Sequence, residues 1–446
     1  MKSFLNILDK FIINKYFIFI FTTLLILSSI ISFYLKINLS NLFGPLIYDE
    51  YLFNYNIQTK TGGVVSDLKS HWNYIILLKE DIGNLFNLTL GENENTNLLN
   101  FPLHHIIFSQ LSFANSLNGY LISILIICLF FPIIFYFSLS KRFKNFDKNK
   151  LFIISTLIYI FPVFQYSSIW GNNHITALIF FSIGILFYNI FKKENFKQIK
   201  YLVFSIIFFT LTCYIKQFYV YFFVYLLIDL FYKIDFKKFL WISLFIFALS
   251  LPGIYFLKEN PLLILGLKQN VTNFNSAILI SGSIIFFYLI PFIIQYFVNL
   301  NGDFKNRVFQ ILDKKSLLIS ILIILACIFN FEYNSSAGGG IFMKLSYYFL
   351  NNNFLVFPSA LLGIYFLLFF CSYNVPGITL VVLLLITFST GYFIFQKYFE
   401  PMLYIIFLNF FNKNKTLTSI KKNNYVLITY FLIYYFFSNY IYFLGL

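Results

Sequence analysis

Uninterrupted apolar runs of eighteen or more residues recur along this chain, and no other feature limits its fold so severely. In lipid, every backbone N–H and C=O must find a partner inside the protein, so only helices and closed barrels can cross a membrane. The runs are continuous rather than alternating, which excludes barrel strands. They fall at roughly 16–36, 118–140, 151–169, 175–191, 201–215, 218–232, 239–257, 276–299, 316–331, 352–372, 377–395, 401–411 and 425–445. The pattern predicts an all-α fold: a single polytopic integral membrane bundle over 1–446, with about 13 transmembrane helices. With 59% apolar and 11% charged residues, the chain has too little polar surface to cover a soluble core. The first run is long and uncharged, and no small-residue cleavage site follows it. This predicts a retained helix rather than a signal peptide.

Basic residues then set an expected orientation. Lys2, Lys10 and Lys15 precede the first run, and further lysines and arginines cluster at 141–150, 192–200, 233–238, 305–315 and 412–422. Placing these clusters on one side puts 23 of the 32 basic residues there, against 7 of the 17 acids. By the positive-inside rule that side is the cytoplasm, and the N-terminus is cytoplasmic. The net charge of +15 is thereby assigned to anionic headgroups of the lipid bilayer, and no nucleic acid partner is needed. The expected location is a bacterial inner (cytoplasmic) membrane.

The four cysteines, Cys128, Cys213, Cys327 and Cys371, lie in apolar runs without CxxC spacing and read as small core residues. Five Asn-X-Ser/Thr matches, at Asn38, Asn87, Asn270, Asn334 and Asn414, are what so Asn-rich a chain yields by chance.

On the other, extracytoplasmic side, one loop dominates, spanning 37–118 between the first two runs. Loops of this length inside a compact fold are usually functional. Its stretches 72–90 and 101–115 are part-apolar and predict amphipathic helices on the membrane surface. All four histidines (His71, His104, His105 and His174) fall on this side, as do Trp72 and Trp170.

Several constellations there can carry chemistry, each with a plainer alternative. Asp49-Glu50, flanked by Tyr48 and Tyr51, can act as a general base or ligate a divalent cation (Mg or Mn), or can simply face the positive end of a helix. No cofactor is required by the pattern, and the metal question stays open. Lys216-Gln217 interrupts the apolar CYIKQFYVYFF, so Lys216 either snorkels or meets an anion such as a lipid phosphate. Gln396, Lys397 and Glu400 form a third group ahead of Pro401, where Lys397 and Glu400 can also pair across one turn. Gly338–Gly340 with Lys344 can bring backbone N–H groups to a phosphate, although the Gly-Lys-Ser/Thr ending of a P-loop is missing. His104-His105 can serve catalysis or a metal, or sit as an interfacial pair. Trp72, Trp170 and the tyrosines can stack on sugars or form an aromatic belt.

This layout resembles the GT-C superfamily of membrane glycosyltransferases, which use polyprenyl-phosphate-linked sugars. The shared features are a first helix, a large outer loop opening on Asp49-Glu50, and a multi-helix bundle. Phe101-Pro102-Leu103-His104-His105 resembles the Pro-Pro-Leu-Tyr region that closes the loop in many members, with one proline here. Asp49-Glu50, Lys216-Gln217 and Tyr398-Phe399-Glu400-Pro401 are similar, more narrowly, to the dolichyl-phosphate-glucose α-1,2-glucosyltransferase family. That family usually has Arg where Lys216 stands and a Thr-Pro-Pro-Gly stretch that this chain lacks.

The resemblance implies a glycosyltransferase with Asp49, beside Glu50, as base toward the acceptor hydroxyl. Lys216, Gln217, Gln396, Lys397 and Lys344 would hold the donor phosphate. His104, His105, Trp72, Trp170, His174 and Glu400 would contact acceptor or sugar. The implied partners are a polyprenyl-phosphate-sugar donor and a lipid-linked or envelope glycan acceptor. The rival readings are a transporter or flippase, or a polymerase, of lipid-linked glycans.

Overall fold

A computed structural model describes residues 14–42, 64–83, 85, 101–259, 273–333, 338–389, 394–422 and 424–444, with backbone alone at 32–42, 64–67, 69 and 439–444. Among the described residues the regular structure is helical throughout, with no strand. Among the described residues, four helices are long and apolar enough to cross a membrane: Leu117–Arg142, Asn173–Lys193, Phe236–Glu259 and Phe274–Asn299. A fifth span is formed if the bent pair Lys148–Ile160 and Pro162–Ile169 counts as one. The other apolar helices, including Lys15–Ile31 and Tyr425–Ser438 as counted over fully described residues, fall short of that length. The chain divides into two units, one comprising Phe11–Gln217, Phe245–Ile264 and Thr429–Leu446, the other Met1–Lys10, Phe218–Leu244 and Leu265–Ile428.

The first unit contains α1 (Lys15–Leu42), α2 (Val64–Glu80), α3 (Leu103–Ser109), α4 (Leu117–Arg142), α5 (Lys148–Thr156), α6 (Pro162–Ile169), α7 (Asn173–Lys193) and α8 (Ile199–Cys213). Its centre is α7, packed along both α4 and α8. Polar and small residues make these contacts close, as expected where lipid supplies no hydrophobic drive between helices. Ser205 Oγ donates to the Gly184 carbonyl at 2.8 Å, and Asn189 Nδ2 lies 3.0 Å from Ser138 Oγ. Ser116 caps α4 by accepting from the Gly119 N–H, and Asn172 caps α7 by accepting from the His174 N–H.

The run 151–169 is not one helix. Its two parts meet at 62°. Phe161 is extended (φ −77°, ψ 117°), as the residue before Pro162 is biased to be, and Pro162 then starts α6 without a missed hydrogen bond.

The second unit contains α9 (Val220–Phe231), α11 (Phe274–Asn299), α12 (Phe304–Ile311), α13 (Lys314–Ile328), α14 (Gly340–Leu350), α15 (Val356–Phe370), α16 (Val375–Ile386), α17 (Met402–Phe410) and α18 (Lys413–Ile420). Two further helices, α10 (Phe236–Glu259) and α19 (Tyr425–Leu444), run across the boundary between units. Here α11 is central, packed on α15, α18 and α16. At the α11–α15 crossing, a Cβ on Gly363 would lie 1.9 Å from the Gly282 carbonyl oxygen, so the two backbones all but touch. Ser283 and Ser359 hydroxyls pair beside this contact at 2.8 Å. The runs 377–395 and 401–411 yield helices of only 12 and 9 residues, shorter than the sequence suggested. All four cysteines are buried and unpaired with one another.

Candidate functional site

Of the expected stretches, 72–80 lies in α2 (Val64–Glu80), while 84 and 86–90 lie outside the described residues; 101–115 contains α3 and a 3-10 turn at Ser112–Ala114. These two helices pack on each other. The start of α3 is tied to the end of α8: the Leu103 N–H donates to the Tyr214 carbonyl at 3.1 Å. Phe101 reinforces this join, with ring centroids 5.8 Å from Tyr214 and 5.6 Å from Phe256. The closing segment of the loop is therefore seated at the junction that carries Lys216.

Three histidines converge there. His71, His104 and His105 are 8%, 0% and 1% exposed, so the last two are not an interfacial pair. Adjacent positions on a helix diverge by about 100°, and the two α3 rings stand at 88° to one another with different partners.

Thr176 Oγ1 lies 3.0 Å from His104 Nδ1, and the Tyr120 hydroxyl lies 2.8 Å from His104 Nε2. The Tyr120 hydroxyl donates its own hydrogen to the Gly171 carbonyl. It must therefore accept from His104 Nε2–H, which leaves His104 Nδ1 as acceptor for Thr176. Both nitrogens of His104 are satisfied in a neutral ring, and the tautomer follows from the network. Gly171 makes this possible: it sits at φ +62°, and a Cβ there would meet the Tyr120 ring at 2.7 Å.

His105 differs. Its Nε2 lies 2.9 Å from His71 Nδ1, so one hydrogen is shared between the two rings. Among the described residues, its Nδ1 is buried without a hydrogen-bond partner. Whichever ring donates, His105 presents one unmet polar atom, and leaving such an atom dry costs about 1–3 kcal/mol.

The electrostatics are consistent with neutral rings. Burial holds His71 and His104 well below the ordinary histidine range, with the other imidazoles and then the Lys216 charge adding to the effect. Burial, followed by the Lys216 charge, pushes His105 down to about 3. Lys216 is half-buried and Gln217 follows it in a 3-10 turn, Gln217–Tyr219.

Around this core, Trp72 is 9% exposed and packs on Tyr120 at 5.9 Å, with Lys79 Nζ 5.9 Å from its ring centroid. Lys79 is itself held by Asn115 Oδ1 at 3.0 Å and by the Ala114 carbonyl. Trp170 and His174 are also buried, at 4% and 7% exposure, so neither tryptophan of this group lies in an exposed belt.

The second unit holds a separate polar group. Gly338, Gly339 and Gly340 all have φ near +75°, a left-handed run that only glycine adopts freely. The Gly339 N–H donates to the Ile394 carbonyl at 2.9 Å, and the Ile341 N–H donates to Gln396 Oε1 at 3.0 Å. The Ile394 N–H donates to the Tyr333 hydroxyl at 3.0 Å. The glycine run and the Gln396 segment are thus bonded together, and those two amides are committed within the fold rather than held out for a phosphate. Lys344 points away on the exposed face of α14. Lys397 is half-buried, its Nζ 5.2 Å from the Phe395 ring. Glu400 is fully buried, and its Oε2 accepts from the Tyr288 hydroxyl at 2.6 Å.

Asp49 and Glu50 lie outside the described residues. Among the described residues, no group of three or more His, Cys, Asp or Glu side chains is arranged to hold a metal. His71, Tyr120, Thr176 and Tyr288 complete the two groups and were not singled out as contacts from sequence. Their one sequence signal is that His71 shares its loop with His104-His105 in a chain of only four histidines. No family model, curated protein or solved structure matches the chain.

Proposed function

We propose that the chain is a membrane glycosyltransferase that moves a sugar from a polyprenyl-phosphate donor to a glycan, lipid or protein acceptor on the extracytoplasmic face. In this reading the bundle has about 13 spans with its N-terminus in the cytoplasm. The expected location is a bacterial inner membrane. The observation that carries the proposal is the buried His71–His105 pair. It presents an unmet His105 Nδ1 in the field of Lys216, at the join between the long loop and a helix end. A neutral hydrogen-bonding ring beside a half-buried cation suits a substrate that combines hydroxyls with one anionic group.

The reaction divides as follows. Asp49, aided by Glu50, takes the acceptor hydroxyl proton as that oxygen bonds to the anomeric carbon. The bond from that carbon to the phosphate oxygen breaks, and the electron pair leaves with the lipid phosphate. Lys216 and Gln217 stabilise the growing charge. His105 meets a sugar hydroxyl, His71 and His104 hold its ring in place, and Trp72, Trp170 and His174 shape the surroundings. A divalent cation, Mg or Mn, would be held by Asp49 and Glu50.

A second reading, a transporter or flippase of lipid-linked glycans, is favoured by the 62° break at Phe161-Pro162, since broken helices line many transport sites. One experiment separates the two. The full chain in lipid nanodiscs is given a panel of radiolabelled polyprenyl-phosphate sugars and envelope glycan acceptors. The proposal expects labelled glycan and released polyprenyl phosphate from the wild type, and neither from Asp49→Asn, with membrane insertion unchanged. Wild-type transfer by Asp49→Asn would remove the assigned base. Movement of donor lipid between leaflets without turnover would favour the transporter.

A further inference from the structure

A short helix of the second unit touches the protein at one ring pair, Phe304 against Phe297 at 5.5 Å, and leaves its other apolar side chains unburied. None of the residues of α12 (Phe304–Ile311) is buried, and Phe304, Phe309 and the following Leu312 are 74%, 62% and 54% exposed. At 100° per residue, 304, 308, 309, 311 and 312 occupy an arc of about 160°, with Lys305 inside it between 312 and 309. Helices this short are marginal in water unless an apolar face is buried against something.

The position of α12 identifies the environment. It begins five residues after the membrane-length α11 ends at Asn299, and it is followed directly by α13. Along α13, Leu318, Leu322 and Leu325 are 60%, 57% and 52% exposed, an uncovered apolar flank. A connector between a membrane-length helix and a helix with such a flank is placed for a membrane surface, whichever side that is. Arg307 fixes it there, donating from Nε to the Gly302 carbonyl at 3.0 Å and from Nη1 to the Val298 carbonyl at 3.3 Å, near the end of α11.

The charge around the apolar strip is one-sided. Lys305, Lys314 and Lys315 are exposed. Asn299 Nδ2 holds the neighbouring basic segment, donating to the Thr418 carbonyl at 2.8 Å and the Lys422 carbonyl at 3.1 Å, which brings exposed Lys422 to the same surface. The two acids of the connector are engaged locally. Asp303 accepts from the Asn306 N–H at 3.1 Å. Asp313 accepts from Ser316 Oγ at 2.7 Å, the Lys315 N–H at 3.2 Å and the Tyr373 hydroxyl.

We propose that α12 is an interfacial anchor. Phe304, Phe309 and Leu312 seat among the acyl chains of an anionic phospholipid leaflet, while Lys305, Lys314, Lys315 and Lys422 meet its headgroup phosphates. A protein partner fits less well, because interface cores are depleted in lysine and Lys305 stands between the exposed apolar side chains. Lipid accommodates that arrangement, since the lysine stem lies along the apolar layer and its ammonium reaches the phosphates. The inference does not depend on the glycosyltransferase reading.

The test uses the full chain carrying Phe309→Cys with a nitroxide label, since the four native cysteines are buried. Depth is read by spin-label accessibility to oxygen and to a water-soluble nickel chelate, in vesicles of phosphatidylcholine with or without phosphatidylglycerol. With phosphatidylglycerol the label should be open to oxygen and shielded from nickel. K305Q/K314Q/K315Q should raise nickel access. The same variant should retain phosphatidylglycerol in native mass spectra roughly fivefold less for each lysine removed. Its thermal stability should match the parent, because these side chains are solvent-exposed. Nickel access that is high in every lipid overturns the anchor. Equal depth and retention in phosphatidylcholine alone overturn the anionic preference. Shielding from both probes means that protein, such as a second copy, covers the face, and overturns the lipid assignment.

Discussion

In the first unit, His105 is 1% exposed, with one ring nitrogen on His71 and the other unmet. In the second unit, Glu400 is equally buried, but its carboxylate takes the Tyr288 hydroxyl at 2.6 Å, while the nearby glycine run is bonded to Ile394 and Gln396. Both are polar islands inside apolar surroundings. One leaves hydrogen-bonding capacity unused and keeps its rings neutral beside a lysine. The other directs its polar groups into holding segments together. Buried polar groups are normally satisfied, so the unsatisfied one is the better marker of a ligand contact. On this reasoning His105 is the better candidate contact of these two clusters, and Glu400 braces its own segments.

The comparison can be broken in several ways. The largest stability effect should come from Gly363→Ala, since the new methyl meets the Gly282 carbonyl at 1.9 Å and must push α11 from α15. Overpacking of this kind should cost about 3 kcal/mol, measured by chemical denaturation in detergent. Tyr288→Phe comes next. It removes a hydrogen-bond donor from a buried carboxylate and should cost about 2 kcal/mol. A loss below a few tenths of a kcal/mol would mean that Glu400 does not brace the fold.

The units should also differ in their response to acid. An imidazole held neutral in the fold, but free to protonate once unfolded, stabilises the fold fully above the ordinary value of 6.5 and loses that contribution as pH falls. For His105 the loss continues down to about 3. Each of His71, His104 and His105 should contribute up to about 1.4 kcal/mol per pH unit in that window. All four histidines lie in the first unit. Hydrogen exchange between pH 7 and 5, corrected for the intrinsic rate, should therefore show α2 and α3 losing protection while α11 and α15 hold theirs. His71→Gln with His105→Gln should flatten the difference. Uniform loss in both units would contradict it.

Much of this was legible in the sequence, and the failures have physical causes. Continuous apolar runs without alternation predicted helices, and none of the described residues contradicts that. Among the described residues four helices, or five with the bent pair, reach membrane length, since hydropathy alone does not register where a helix stops. The break at Phe161-Pro162 was written in the sequence and lost inside an apolar run. At 377–395 the helix ends at Ile386, followed by Thr387, whose hydroxyl bonds back to the Leu383 carbonyl. His104-His105 and Lys216 could be marked as candidates from local context. Their convergence with His71, Tyr120 and Thr176 could not, because those contacts span 16 to 72 residues of chain and follow no local period. Glu400 was chosen for its charge, and only its partner 112 residues away shows how it is held.

The most direct test sets the two clusters against each other in one assay. Transfer from polyprenyl-phosphate sugar is measured per folded molecule for His105→Asn and Glu400→Gln in lipid nanodiscs. The account predicts a loss of about a hundredfold for His105→Asn, the scale of removing a positioned polar contact, with thermal stability near that of the wild type. Glu400→Gln should keep turnover within about threefold while unfolding at lower temperature, its loss being one of stability through the Tyr288 contact. The opposite result, with His105→Asn fully active and Glu400→Gln folded but inert, would move the site to the second unit and contradict the account.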